Sequence, residues 1–78
     1  MTISAKISHV RWLEVWVDSS STEYLLVLRA DQHGVVRIYD PQEHWKLIET
    51  FKDYEQATKW LNEDEYDLVE GRYTIDDV

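Results

Sequence analysis

The stretch Phe51-Lys-Asp-Tyr-Glu-Gln-Ala-Thr-Lys-Trp-Leu-Asn-Glu-Asp-Glu-Tyr66 carries the one strong helix signal in the chain. Asp53 suits an N-cap, and Gln56 three residues later completes a capping-box pattern, in which side chains satisfy backbone donors that the first turn leaves over. Tyr54, Ala57, Trp60 and Leu61 recur at helical spacing and give one apolar stripe. Asp53 and Glu55 put negative charge in the first turn, where the helix dipole favours it. At the other end Asn62 fits a C-cap. Glu63, Asp64 and Glu65 then set three like charges at the negative end of the dipole, each costing roughly a few tenths of a kcal/mol. A solvated loop that ends the helix is the plain reading of this acidic run, and a docking surface for a basic partner is the sharper one. The prediction is one helix over about 53–62.

Everything before this helix alternates as strands do. His9 to Asp18 reads as the first firm strand, and Asp18-Ser-Ser-Ser-Thr22 as a polar turn. Glu23 to Ala30 is the second strand. Asp31-Gln-His-Gly34 has Asp first and Gly fourth, the pattern of a type I turn with glycine in a bulge. Val35 to Asp40 is the third strand, and Asp40-Pro-Gln-Glu43 fits a second type I turn, with Pro at its second position. Trp45 to Phe51 is a shorter fourth strand. Short turns between alternating segments imply an antiparallel meander. Beyond the helix, Tyr66–Val69 and Arg72–Ile75 flank Gly71 and read as a last, broken strand. Residues 1–8 read as a short edge strand or a frayed lead-in, and 76–78 as a solvated tail.

The alternation also assigns faces. Leu13, Val15, Val17, Tyr24, Leu26, Leu28, Val36, Ile38, Trp45, Leu47 and Phe51 form a nearly all-apolar set, expected beneath the helix. The opposite set mixes charge with large apolar groups: Val10, Trp12, Glu14 and Trp16, then Glu23, Leu25, Val27 and Arg29, then Val35, Arg37 and Tyr39, then Lys46, Ile48 and Thr50. One short helix cannot cover both faces. Either the chain covers this second face itself, or the face is an interface, since Trp, Tyr and Arg are enriched at association sites.

Charge narrows the partners. Residues 1–52 hold seven acids against six bases, and residues 53–78 nine acids against two, which together give the net charge of −8. Nucleic acid and anionic membranes need a basic footprint, so neither is expected as a partner, whereas a basic protein is permitted. No apolar run approaches the roughly 20 residues of a membrane span. The polar N-terminus does not resemble a signal peptide, and a cytoplasmic protein of bacterial type is the expectation. The chain has no cysteine, so neither a disulfide nor a cysteine-based zinc site supplements the core.

Catalytic and metal motifs are not evident. His9, His33 and His44 lack metal-ligand spacing. Ser19, Ser20 and Ser21 lack the glycines of a nucleophile elbow. Gly34 and Gly71, the only glycines, make no phosphate-cradling loop. Glu63, Asp64, Glu65, Asp67 and Glu70 do not follow calcium-loop spacing.

These readings combine into an α+β fold: a small single domain spanning 1–78, with a four- or five-stranded, mainly antiparallel meander and one helix on one face. No cofactor is expected. The leading functional expectation is a non-catalytic protein–protein interaction module that self-associates through Trp12, Glu14, Trp16, Leu25, Val27, Arg29, Arg37 and Tyr39. The first alternative is an acidic inhibitor or nucleic-acid mimic that presents Glu63, Asp64, Glu65, Asp67 and Glu70 to a basic partner. The second is a small enzyme or metal-binding protein.

Overall fold

A computed structural model describes residues 10–69 and 71–74. Residues 1–8, read as an edge strand or a frayed lead-in, and the tail at 76–78 lie outside these. The strands are β1 (Val10–Asp18), β2 (Ser21–Asp31), β3 (Val36–Asp40), β4 (Lys46–Phe51), β5 (Tyr66–Leu68) and β6 (Tyr73–Thr74), and the helix is α1 (Tyr54–Glu63). They build an α+β fold in which one antiparallel sheet is ordered β4-β3-β2-β1-β5, with β6 also on β1. The expected meander is β1 to β4. The chain then returns through α1 to the free side of β1, so the first strand ends up inside the sheet.

The helix forms where the sequence signals it. The Asp53 carboxylate accepts the Gln56 N–H at 2.9 Å. Ala57 and Leu61 are fully buried against Trp16, Leu26, Leu28, Ala30, Val36 and Ile38, with Trp12, Phe51, Tyr54, Trp60 and Tyr66 packed around them. The helix runs one residue past the expected end. Asp64 caps it, and Glu65 (φ 62°) turns the chain in the left-handed conformation.

Asp31 builds the β2–β3 hairpin. Its carboxylate accepts from the N–H groups of His33 and Val35 and pairs with Arg37, while its carbonyl accepts the Gly34 N–H. Gly34 has φ 85°, which makes it the glycine of a type I turn plus bulge. The Asp40 turn is more elaborate than expected. Pro41–Glu43 forms a 3₁₀ turn, and His44 (φ 59°) and Trp45 (φ 61°) follow in the left-handed region before β4 begins.

Two bulges invert expected faces. At the β1–β2 turn Asp18 pairs Ser21, whereas Val17 already pairs Leu25, so three residues of β2 are looped out of the ladder. An odd insertion swaps the faces of everything beyond it. Val17, Val15 and Leu13 therefore lie opposite Leu25, Val27 and Arg29, on the side away from α1. Trp16, Glu14 and Trp12 lie opposite Leu26, Leu28 and Ala30, beneath the helix. The second bulge puts Ile48 out of register between Glu49, opposite Ile38, and Leu47, opposite Tyr39. Leu47 is thereby moved off the helix side, and Trp45 lies with it under Arg29. The assignments of Leu26, Leu28, Val36, Ile38 and Phe51 to the helix side hold.

Candidate functional site

A buried acid stands at the centre of the helix-covered face. Glu14 is 2% exposed, and it is the one buried charged residue among those described. An isolated carboxylate there would cost several kcal/mol, so the site must supply partners. The Trp16 indole Nε1–H donates to Oε1 at 3.1 Å. The Tyr54 hydroxyl lies 3.0 Å from both carboxylate oxygens and shares its proton between them. Arg72 Nε donates to Oε2 at 3.1 Å. The Arg72 guanidinium also sits 3.6 Å from the Trp12 ring centroid and 5.0 Å from that of Tyr54. Those two rings meet edge to face, 5.4 Å apart. Burial raises the Tyr54 phenol above the usual tyrosine range, reinforced by the hydrogen bond to Glu14 and its negative charge and partly offset by Arg72.

Strand register decides which residue reaches Glu14. Trp16 pairs Leu68 in β5 and Trp12 pairs Thr74 in β6, so four steps along β1 face six on the returning chain. The two extra residues include the neighbourhood of Gly71, which has φ 85°. Continued without this break, the β5 register would set position 70, a glutamate, opposite Glu14. The break sets Arg72 there instead, so an attractive pair takes the place of like charges.

The eight residues expected to share one interface are split by the first bulge. Trp12, Glu14 and Trp16 belong to the helix side. Leu25, Val27, Arg29, Arg37 and Tyr39 remain together on the other side and are joined by Leu13, Val15 and Val17. Val27 sits between Val15 and Tyr39 in the ladder and is buried. Trp45 and Leu47, beside Tyr39, are 48% and 47% exposed. The Arg29 guanidinium stacks 4.8 Å from both the Tyr39 and Trp45 rings.

The expected acidic surface is divided as well. Glu63, Asp64 and Glu65 are exposed at the end of α1. Asp67 is exposed on β5 opposite Val17, and hence on the side away from the helix. Glu70 lies outside the described residues. Burial pushes the Tyr66 phenol up, and Asp18, Asp64 and Asp40 add to the effect. His33 is exposed in the hairpin turn and His44 in the strained turn, while His9 lies outside the described residues. Among the described residues no group of three or more His, Cys, Asp or Glu is arranged to hold a metal ion, and no helix is long and apolar enough to cross a membrane.

Two participants in the Glu14 site were missed from sequence, Arg72 and the Tyr54 hydroxyl. A signal existed in Trp12-Leu-Glu14-Val-Trp16: an acid flanked at both second neighbours by tryptophan shares its face with them, and one indole N–H can serve as its donor. Compared with protein-family models, with curated proteins and with solved structures, the chain matches none.

Proposed function

We propose that the protein is a non-catalytic protein–protein interaction module that self-associates through the sheet face away from α1. One observation carries this reading. Leu13, Val15, Val17, Leu25, Val27 and Tyr39 form an apolar field over three strands on the side opposite the helix, and Trp45 and Leu47 extend it while about half exposed. Strain supports it. Two successive non-glycine residues in the left-handed region, His44 and Trp45, cost about 1–2 kcal/mol each, a kind of strain that clusters at functional sites. Here it holds an indole against Arg29 at the margin of the field. A standard interface takes roughly 800 Å² from each partner, and the half-exposed Trp45 and Leu47 are the apolar groups of this face that a second copy would cover first.

Under a two-fold axis the patch meets its own copy, so a single introduced charge is felt twice. Sedimentation equilibrium at about 50 μM, which registers micromolar dissociation constants, is expected to give a dimer for the wild type and a monomer for Leu47→Asp. A wild-type chain that remains monomeric there overturns the reading.

A second reading, an acidic surface for a basic partner, draws on Glu63, Asp64 and Glu65, which are exposed together at the end of α1. Salt separates the two. An acidic surface loses its partner steeply as ionic strength rises, and an apolar face does not.

A further inference from the structure

We propose that Trp12, Glu14 and Tyr54 form a guanidinium-binding cage, filled in this structure by the chain's own Arg72, that accepts the arginine side chain of a basic peptide in its place. It stands apart from self-association, because the cage lies on the helix side of the sheet.

The walls specify the ligand. Glu14 is fixed from inside by the Trp16 indole and the Tyr54 hydroxyl, which leaves Oε2 turned toward the incoming donor. The Trp12 face lies 3.6 Å from the guanidinium carbon. A ligand must therefore stack flat on an indole and, in the same plane, donate an N–H to a carboxylate. A planar guanidinium does both, whereas a tetrahedral ammonium cannot stack. Without a cation, the buried carboxylate would keep only neutral partners, so the cage selects for positive charge.

The segment that delivers Arg72 is lightly held. β6 has two residues, all of 71–74 are exposed, and the Arg72 side chain keeps 43% of its surface. Nothing lies within 4 Å of the space a side chain at Gly71 would enter. Lifting residues 71–74, all exposed, leaves the cage itself, built on β1 and α1, in place. Charge favours an outside arginine over a neutral competitor. Asp53 and Glu55 are exposed beside Tyr54 in the first turn of α1, and residues 53–78 carry nine acids against two bases.

The test uses Arg72→Ala and the probe N-acetyl-arginine methylamide, read at the Trp16 indole N–H resonance. A saturable shift with a dissociation constant on the order of 1–10 mM is expected. It should be about tenfold weaker in the wild type, where Arg72 competes, and absent from the Glu14→Gln/Arg72→Ala double variant. The neutral citrulline analogue should produce no shift. Should Arg72→Ala be unfolded alone, the arginine probe is expected to restore its cooperative thermal transition over the same concentrations. Three outcomes overturn the proposal: no saturable effect on Arg72→Ala up to about 50 mM, an equal effect from citrulline, or a wild type in which the probe never displaces Arg72.

Discussion

Glu14 is buried and holds Trp16, Tyr54 and Arg72, and the stability of the molecule should be sensitive there. Removing a carboxylate from this position leaves the Trp16 N–H and the Tyr54 hydroxyl without an acceptor in a dry interior and frees Arg72 from its pair. Glu14→Ala, which leaves two donors unpaired at about 1–3 kcal/mol each, is expected to cost about 2–6 kcal/mol, and Tyr54→Phe, which deletes one hydrogen bond to a charged acceptor, about 1.5–3 kcal/mol. Urea denaturation of the two variants checks both figures and their order. The same tyrosine should contribute to an alkaline limit of the fold. Its folded pKa lies above the ordinary phenol value of 10.0, because burial and then Glu14 oppose ionisation, and Tyr66 is raised in the same direction. A group whose pKa is raised on folding contributes stability that is fully present below its unfolded value and lost as pH rises through the folded one. The thermal midpoint should accordingly hold steady from about pH 8 to 10 and then fall as the phenols are forced to ionise. Tyr54→Phe should make that fall shallower, and an unchanged slope would show that Tyr54 does not set it.

At the scale of elements, the ends of strands and helices carry the information that alternation alone misses. The strands, turns and helix can be read from the chain to within a few residues, because each has a local cause: Asp53 as cap, Gly34 in its bulge, Pro41 opening a 3₁₀ turn. Faces are different, because they depend on parity along a ladder. Three residues looped out after Asp18 invert β1 relative to β2, and Ile48 does the same within β4. Both sides of β1 are apolar enough that hydrophobicity does not settle the choice, and the charge on Glu14 assigns its side to the mixed face away from the helix. Arg72 was hidden for a related reason, since only the break near Gly71 brings it opposite Glu14. The helix end offers a test of local cause. Glu65 holds a left-handed conformation and adds a negative charge near the negative end of α1. Replacing it with glycine relieves both, offset by the greater freedom of glycine in the unfolded chain. Glu65→Gly should stabilise by about 0.5–1 kcal/mol, or roughly 2–8 °C in thermal midpoint. Glu65→Ala, which removes only the charge, should give the smaller gain.

For the whole molecule the question is whether its acidity serves a bound cation or is simply charge. The net charge is −8, and residues 53–78 supply nine acids and two bases. Among the residues of the expected acidic surface that can be seen, Glu63, Asp64 and Glu65 follow α1 while Asp67 faces the other side of the sheet, so they do not converge on one point. A cation site requires convergence, with six to eight oxygens at about 2.3–2.6 Å for calcium, whereas diffuse repulsion requires only proximity. The two respond differently to salt. Repulsion among exposed carboxylates is relieved by any electrolyte as the Debye length shrinks to about 8 Å near 0.15 M ionic strength. A site that binds only the folded chain raises stability by mass action and saturates. Sodium chloride should therefore raise the thermal midpoint gradually, and calcium or magnesium chloride at matched ionic strength should raise it little further and without saturation. A saturable shift with calcium, well beyond that of sodium at equal ionic strength, would mean that the carboxylates gather around an ion, and the acidic half would then have a specific ligand.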